Sequence, residues 1–389
     1  MPGQIIRRGK NKYLVRIPLG SSADGKRLYH NKTINGTKKD AQRYRTKILR
    51  KRDLGELVEP SKELLGLYLE RWLETAARPR IAPSTFATYS NYVSIYLKPG
   101  LGDKGLSELE ALEIQEFYNG LGDKGLSPKT VKNIHGVFTN ALKQAVKWQL
   151  IRTNPADHVD LPKDERREMQ VFTREQAAQF MEATIYSPHK ALFSLLLSSG
   201  MRPGEALGLK WGDVDMKAGR VHVQRALSKT KTGWVLREPK TARSRRAIPL
   251  PPSVMNDLKE HRAAQLEERL KTGSYNDRDL VFADRTGEPL SPKEVYRKHF
   301  IPLLRDAGLP KIRMYDLRHT CATLLLAAGE NPKVVSERLG HASITLTLDT
   351  YSHVLPDMQD RATAKLENIL FGAPHTHCTQ AKIEGPKKP

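Results

Sequence analysis

The sequence predicts a multidomain α+β protein with three structured parts and a tail. Short alternating stretches near the amino terminus indicate a small three-stranded sheet followed by one helix. Helical spacing of apolar residues indicates a helical bundle in the next part. In the third part, helix signals surround strand-like stretches, which is typical of a mixed, mainly helical domain with a small antiparallel sheet. The predicted bounds are 1–57, 61–158, 165–371 and, for a disordered tail, 372–389.

Length and composition favour an ordinary soluble protein. A chain of 389 residues with 39% hydrophobic and 28% charged residues fits two or three globular domains. Its longest nearly apolar run, Ala191–Leu197, is far shorter than the roughly 20 residues that span a bilayer. Neither an export signal nor enough cysteine for a disulfide scaffold is visible. We therefore expect a cytoplasmic protein with no membrane partner.

The charge is strongly basic and unevenly distributed. The chain has 65 Lys+Arg against 43 Asp+Glu, a net charge of +22. Residues 1–60 hold 16 basic and 5 acidic residues, and Arg220–Arg246 holds nine basic residues and one acid. A solvated basic face would explain either segment alone. Two such segments, both on strand-like patterns, favour contact with a DNA backbone.

The first two parts follow from local signals. Alternating stretches at Tyr13–Ile17 and Arg27–Tyr29 predict antiparallel strands, and the run from Lys38 predicts a helix that ends near Gly55. In the second part, Ser84 and Ser127-Pro128 are expected helix starts. The heptapeptide LGDKGLS occurs twice with dissimilar flanks, which indicates helix-ending turns and not a repeat protein. A linker is expected at 163–168.

In the third part, Thr173 and Gln176 form an expected capping box. The sequence predicts strands, listed from the amino-terminal end, at Val221–Leu227, Trp234–Glu238 and Ala247–Leu250. The segment MRPGEALGLKWGDVD places Arg202 at the start of a helix and Glu205 three residues later, close enough to hold the guanidinium. A surface ion pair is the alternative explanation.

Two further motifs end in potentially reactive side chains. In YDLRHTCATLLLAAG, Asp316 is the expected N-cap, and Arg318 and His319 lie near a helix N-terminus that favours an anion. In NPKVVSERLGHASITLTLDTYSHV, His341 follows a glycine helix stop and Tyr351 follows on the next helix. By its spacing alone, Tyr351 is more typical of a core residue than of a nucleophile.

Taken together, these motifs resemble the tyrosine recombinase (phage integrase) family. The matching segments are MRPGEALGL, YDLRHT, LGHASITLTLDTYSHV and the strand turn EPKTARSRRAIPL, which contains Lys240. The resemblance covers the whole predicted organisation: an arm-type DNA-binding domain, a helical core-binding (SAM-like) domain and a catalytic domain. It implies a site-specific recombinase that cleaves and rejoins DNA through a 3′-phosphotyrosyl intermediate, to integrate or excise a prophage or mobile element.

The resemblance also implies the role of each site residue. Arg202 and Arg318 would clamp the scissile phosphate, and His341 would add a hydrogen bond to it. Tyr351 would be the nucleophile and Lys240 the general acid. Glu205 would orient Arg202, no cofactor or metal would be needed, and three arginines would contact DNA: Arg243, Arg245 and Arg246.

One position departs from the family pattern. The residue three before the second arginine is usually His, and here it is Tyr315. A phenol can bind a phosphate but is a poor base near pH 7. We therefore expect Tyr315 to be at most a phosphate ligand, with reduced or rearranged proton transfer around Tyr351.

The expected partners are double-stranded DNA attachment sites, three further copies of the chain in a tetramer on DNA, an excisionase and a host DNA-bending protein. The segment 357–371 is a candidate for exchange between protomers, although it would also fit packing within one chain. Three alternatives stay open. They are a chromosome-dimer resolvase, which the amino-terminal part argues against, a type IB topoisomerase, and a non-catalytic DNA-binding regulator that keeps the fold.

Overall fold

The computed structural model describes residues 3–21, 27–53, 63–164, 169–230, 233–238, 245–271, 275–351 and 358–372. The chain divides into two compact units, Met1–Arg166 and Arg167–Pro389, with the boundary inside the predicted linker. Nearly all of the predicted tail lies outside the described residues. The three-domain bounds stay a prediction, because the two-unit division does not separate the first part from the second.

The first 53 residues of unit 1 form a small sheet and one helix, as predicted. Three antiparallel strands lie in the order β1-β2-β3, and a helix packs on them through a small cluster of buried residues, Val15, Ile17, Ala41 and Ile48. The elements are β1 (Gln4–Gly9), β2 (Lys12–Ser21), β3 (Arg27–Asn35) and α1 (Lys38–Asp53). This separate small core supports the prediction that the amino-terminal part is a module.

The rest of unit 1 is a helical bundle with its own larger core. Its helices are α2 (Leu65–Trp72), α3 (Pro83–Tyr92), α4 (Lys98–Leu101), α5 (Ala111–Asp123) and α6 (Pro128–Lys147). Ser127 caps α6 as predicted, because its side chain accepts from the N–H of Thr130. The predicted cap at Ser84 is wrong: α3 already begins at Pro83, whose fixed φ suits the first helical position.

Unit 2 is mainly helical with two small antiparallel sheets. Its strands, β4 (Val214–Asp215), β5 (Arg220–Val223), β6 (Ala226–Thr230), β7 (Gly233–Arg237) and β8 (Arg246–Pro249), pair as β4-β5-β8 and β6-β7. The single strand predicted over Val221–Leu227 is wrong. It is two strands of different sheets, interrupted where Arg225 forms an ion pair with Asp213.

The helices of unit 2 surround one large core of some thirty buried residues, and a smaller cluster lies beside it. The first six are α7 (Arg174–Ala183), α8 (Lys190–Ser199), α9 (Pro203–Leu207), α10 (Pro252–Lys271), α11 (Pro292–Val295) and α12 (Ile301–Asp306). The last four are α13 (Asp316–Ala327), α14 (Pro332–Leu339), α15 (Ile344–Tyr351) and α16 (Met358–Phe371). No helix among the described residues is long and apolar enough to cross a bilayer.

Two glycines set the direction of the chain at the candidate site. Gly200 ends α8 with φ 67° and Gly340 ends α14 with φ 69°, a conformation that side chains disfavour. A Cβ on Gly200 would also lie only 2.6 Å from Leu339. Arg202 lies two residues after the turn that ends α8, and His341 directly follows the turn that ends α14.

Candidate active site

Arg202 is held by Glu205, as the sequence predicts. Arg202 precedes the first residue of α9, and its Nη1 lies 2.8 Å from Oε1 of Glu205, while its backbone N–H donates to the other carboxylate oxygen at 3.0 Å. Glu205 is buried, with 3% of its surface exposed. Burial opposes the charge of Arg202, but Glu205 and then Tyr315 outweigh it and raise the pKa of the guanidinium. Arg202 is therefore a fixed cation.

Arg246 lies at the same carboxylate, a contact that the sequence did not predict. Its Nη2 donates to Oε2 of Glu205 at 2.8 Å, and its Nε donates to the carbonyl of Arg338 at 2.6 Å. The side chain is only 7% exposed. The residue also lines the groove beside Arg245, and its contact with DNA stays a prediction. The Glu205 carboxylate thus binds two arginines, Arg202 and Arg246.

Arg318 is the most deeply buried cation of the site. Only 1% of its surface is exposed, and its Nη1 donates to the carbonyl of Gly200 at 2.8 Å. Its Nη2 is buried and has no hydrogen-bond partner among the described residues. Burial and the charge of Arg202 lower the pKa of Arg318, but a guanidinium keeps its charge at neutral pH. A buried, unpaired N–H of this kind needs an acceptor, and a phosphate oxygen is a suitable one.

The start of α13 also differs from the prediction. Asp316 is the first residue of the helix and not its N-cap. Its carboxylate accepts instead from the backbone N–H and from Nη2 of Arg313, both at 2.7 Å. Arg313 precedes the helix by three residues, so the Asp316 carboxylate closes the turn before α13. The N-terminus of α13 therefore has no side-chain cap.

His341 lies in the same positive field. Its Nδ1 lies 2.8 Å from Oγ1 of Thr347. Burial, followed by the charges of Arg318 and Arg202, lowers the pKa of His341 to about 4. The imidazole is therefore neutral at pH 7 and can offer one N–H to a ligand.

Tyr351 ends α15 with its side chain fully buried against α13 and α14. Its hydroxyl oxygen lies 2.7 Å from Nδ1 of His319. Burial raises the pKa of the phenol, and the nearby charge of Arg318 offsets this only in part. The sequence argument placed His319 near the anion site but did not foresee its contact with Tyr351.

Tyr315 lies beside these groups at the surface. It is 38% exposed, and its ring stacks edge-on against His319, with 5.3 Å between the ring centroids. It also helps to raise the pKa of Arg202. Its spacing of four residues from His319 on one helix face is the sequence signal that could have identified His319.

The basic strand turn is described only in part. Lys240 and Arg243 lie outside the described residues, so their predicted roles rest on the sequence. Arg245 is exposed and pairs with Glu238 at 2.7 Å. An open groove of about 580 Å³ is lined by this pair and also by Arg225 and Arg237. Its charge suits a polyanion.

These side chains define a class of site. Arg202 and the neutral His341 lie near Arg318, whose buried Nη2 lacks a partner among the described residues. The hydroxyl of Tyr351 lies in the same small cluster of helices. Such a site fits a phosphodiester and offers a phenol as nucleophile. In a mainly helical unit with small antiparallel sheets, this is the arrangement of a phosphotyrosine-forming DNA strand transferase.

Comparison with known proteins agrees with this class. Residues 170–358 match the model of the phage integrase family, and residues 64–122 match the phage integrase N-terminal SAM-like domain. A tyrosine recombinase XerC-like protein of Caldanaerobacter subterraneus subsp. tengcongensis is 31% identical over 386 residues, which cover 94% of this chain and 98% of the relative. The ICEBs1 integrase of Bacillus subtilis is 25% identical, with 92% and 98% covered.

Solved structures show the same fold. The Tn1549 transposon integrase in complex with a circular intermediate DNA has a TM-score of 0.68 at 24% identity and covers 78% of this chain and 99% of its own. A lambda integrase tetramer bound to a Holliday junction has a TM-score of 0.57 at 20% identity, with 89% and 97% covered. The chain belongs to the tyrosine recombinase (phage integrase) family and is a site-specific recombinase.

Proposed function

We propose that this chain is the integrase of a prophage or other integrative element, and that it cleaves and rejoins attachment-site DNA through a covalent link to Tyr351. The observation that carries the proposal is the buried Nη2 of Arg318, which lacks a partner among the described residues beside Arg202 and His341. A scissile phosphate would supply the missing acceptor.

The phosphate would be bound by three side chains. Arg202 and Arg318 donate to its non-bridging oxygens and stabilise the negative charge that grows in the pentavalent transition state. His341, neutral in the DNA-free protein, adds one N–H. Glu205 fixes the direction of Arg202 without itself touching the phosphate, because both of its oxygens already accept from arginines.

The chemistry would then need two proton transfers. The Tyr351 oxygen attacks phosphorus and loses its proton, and the departing 5′ oxygen gains one. Lys240 is the proposed donor to that oxygen, on the evidence of its sequence motif. The phosphotyrosyl bond keeps the energy of the phosphodiester, so rejoining needs neither ATP nor a metal.

Contact with DNA away from the cleavage point would come from the charged surfaces. Arg245 and the groove beside it are exposed on the strand side of unit 2. The amino-terminal sheet also exposes basic side chains on β1 and the turn after it, among them Arg7, Arg8 and Lys10. We assign the first surface to core DNA and the second to distal arm sites.

A tetramer on DNA is the proposed active assembly. The last turns of α16 expose four apolar side chains, Leu366, Ile369, Leu370 and Phe371, which are 54–80% exposed. Exposed apolar side chains in a row are typical of a binding surface. A neighbouring protomer is the proposed receptor for this helix, and an excisionase and a host DNA-bending protein are proposed further partners.

Cleavage assays separate this function from its alternatives. DNA from the ends of the element that carries the gene is incubated with the wild-type protein and with Tyr351→Phe, and covalent complexes are detected on denaturing gels. Site-dependent complexes with wild type alone support the integrase. Their absence would favour the regulator, and relaxation of any supercoiled plasmid would favour a topoisomerase.

A further inference from the structure

The geometry points to His319 as the group that accepts the proton of Tyr351 during cleavage and returns it during rejoining. This inference rests on the proposed function, because it takes Tyr351 as the nucleophile. It adds a catalytic residue that the motif argument did not assign.

The contact between the two side chains is short and comes from two helices. His319 lies in the first turn of α13 and Tyr351 at the end of α15. The distance from Nδ1 to the phenol oxygen is 2.7 Å, within normal hydrogen-bond range. A general base must lie within this reach of the proton that it removes.

The phenol needs a protein base at this position. Tyr351 has no exposed surface, so solvent does not reach its hydroxyl in the DNA-free state. Its raised pKa keeps the proton in place at pH 7. Tyr315 is itself a phenol, and the Nδ1 of His341 is engaged with Thr347. Among the described residues, His319 is the one basic side chain within hydrogen-bond distance of the Tyr351 oxygen.

His319 is in the protonation state that a base requires. Burial lowers the pKa of the imidazole, with Arg318 and Arg313 lowering it further and Asp316 opposing them. Tyr315 and Tyr351 flank the ring, and the charge of a protonated His319 would lower the pKa of His341. A neutral imidazole with its proton on Nε2 leaves Nδ1 free to accept.

With His319 as the base, every proton that is released during cleavage has an acceptor. As the Tyr351 oxygen–phosphorus bond forms, the phenol proton moves to Nδ1 of His319. The bond from phosphorus to the 5′ oxygen breaks, and that oxygen takes its proton from the general acid. In rejoining, the 5′ hydroxyl attacks phosphorus and returns its proton to the general acid. The bond from phosphorus to Tyr351 breaks, and the imidazolium gives its proton to the departing Tyr351 oxygen, so no external reactant is consumed.

The test compares His319→Asn with wild type on a suicide half-site substrate. Asparagine can place an acceptor near the position of Nδ1 but cannot take the proton. We expect cleavage to slow by about 100-fold or more, and the slow rate to rise about tenfold per pH unit between pH 7 and 9. A substrate with sulfur in place of the 5′ leaving oxygen removes the need for a general acid. We expect it not to restore the His319→Asn rate, whereas it should restore a Lys240→Ala variant.

Two controls keep the outcomes distinct. Half-site affinity and melting temperature show whether His319→Asn is folded, and His319→Ala with added imidazole serves as a second variant that should recover part of its rate. Cleavage by His319→Asn within threefold of wild type, or full restoration by the sulfur substrate, would overturn the inference alone. An adduct on another residue, or none with wild type, would overturn the proposed function instead.

Discussion

Glu205 and Arg246 form an ion pair across 41 residues of sequence, with 2.8 Å between Oε2 and Nη2 and with both side chains less than a tenth exposed. The same carboxylate holds Arg202. The pair therefore connects β8, at the end of the basic strand turn, to the start of α9. The position of Arg202 therefore depends on where β8 places Arg246.

Loss of the Glu205 carboxylate should destabilise the folded protein as well as slow DNA cleavage. Glu205→Gln removes the counter-charge of the buried Arg246 guanidinium and of the partly exposed Arg202 guanidinium, which should cost about 3 kcal/mol of unfolding free energy. Urea unfolding measures this loss. The matched control is Glu238→Gln, whose exposed pair with Arg245 should contribute less than about 1 kcal/mol. Equal losses in both variants would contradict the buried bridge.

Replacing Tyr315 should reduce the rate of DNA cleavage less than replacing Arg318. Tyr315→Phe removes one hydroxyl from a partly exposed side chain that assists Arg202. Arg318→Ala removes the buried cation that carries the unpaired N–H. We expect a loss of about tenfold for the first and about 1000-fold or more for the second in suicide-substrate cleavage, from the usual cost of losing charge stabilisation in the transition state. Comparable losses would defeat this assignment.

The DNA-free protein should lose stability below pH 6.5. Burial, with the charges of His299 and His261, lowers the pKa of His189 to about 4. As the pH falls, this histidine is therefore protonated in the unfolded chain before it is protonated in the folded protein. The loss therefore begins near pH 6.5 and is complete near pH 4. At pH 5 this group alone should cost about 2 kcal/mol. His189→Asn should show a smaller decrease between pH 7.5 and 5, and an unchanged pH dependence would contradict the prediction.

The amino-terminal sheet should contribute to DNA affinity through charge. Replacing the exposed Arg7, Arg8 and Lys10 by alanine should weaken binding to distal DNA and reduce the slope of log affinity against log salt by about 3, one counterion per contact. Titrations at several salt concentrations measure the slope. Suicide cleavage of a core half-site should stay unchanged, and an equal loss there would argue against separate surfaces.

The exposed apolar end of α16 should contact a neighbouring protomer when the protein assembles on DNA. Ile369→Asp puts a charge on an apolar row and should reduce the yield of synaptic complexes at least tenfold, because a charge buried without a partner is costly. Half-site binding and melting temperature should not change. Lys365→Asp, an exposed change on the same helix, is the control. Normal synapsis by Ile369→Asp would contradict exchange of this helix.

Local signals in the sequence predicted much of this structure. Proline and serine at residues 127–128 and glycine at 340 fixed helix ends, because the backbone at a helix end needs these residue types. The bond between Arg202 and Glu205 followed from a spacing of three residues in one turn of helix. Each of these features depends on neighbours in sequence.

The features that escaped prediction depend on packing between distant segments. The ion pair between Glu205 and Arg246 joins residues 41 apart in sequence, so no local spacing indicates it. His319 meets Tyr351 across 32 residues only because α13, α14 and α15 share one small core. Asp316 was assigned a cap, but its true partner, Arg313, lies in the turn before the helix.

The most direct measurement is the identity of the residue that is covalently joined to DNA. Wild-type protein is trapped on a suicide attachment-site substrate, the DNA and protein are digested, and the peptide that carries the nucleotide is sequenced by mass spectrometry. The account predicts a phosphodiester on Tyr351, linked to the 3′ end of the cleaved strand. A modified Tyr315, or any residue other than Tyr351, would contradict it.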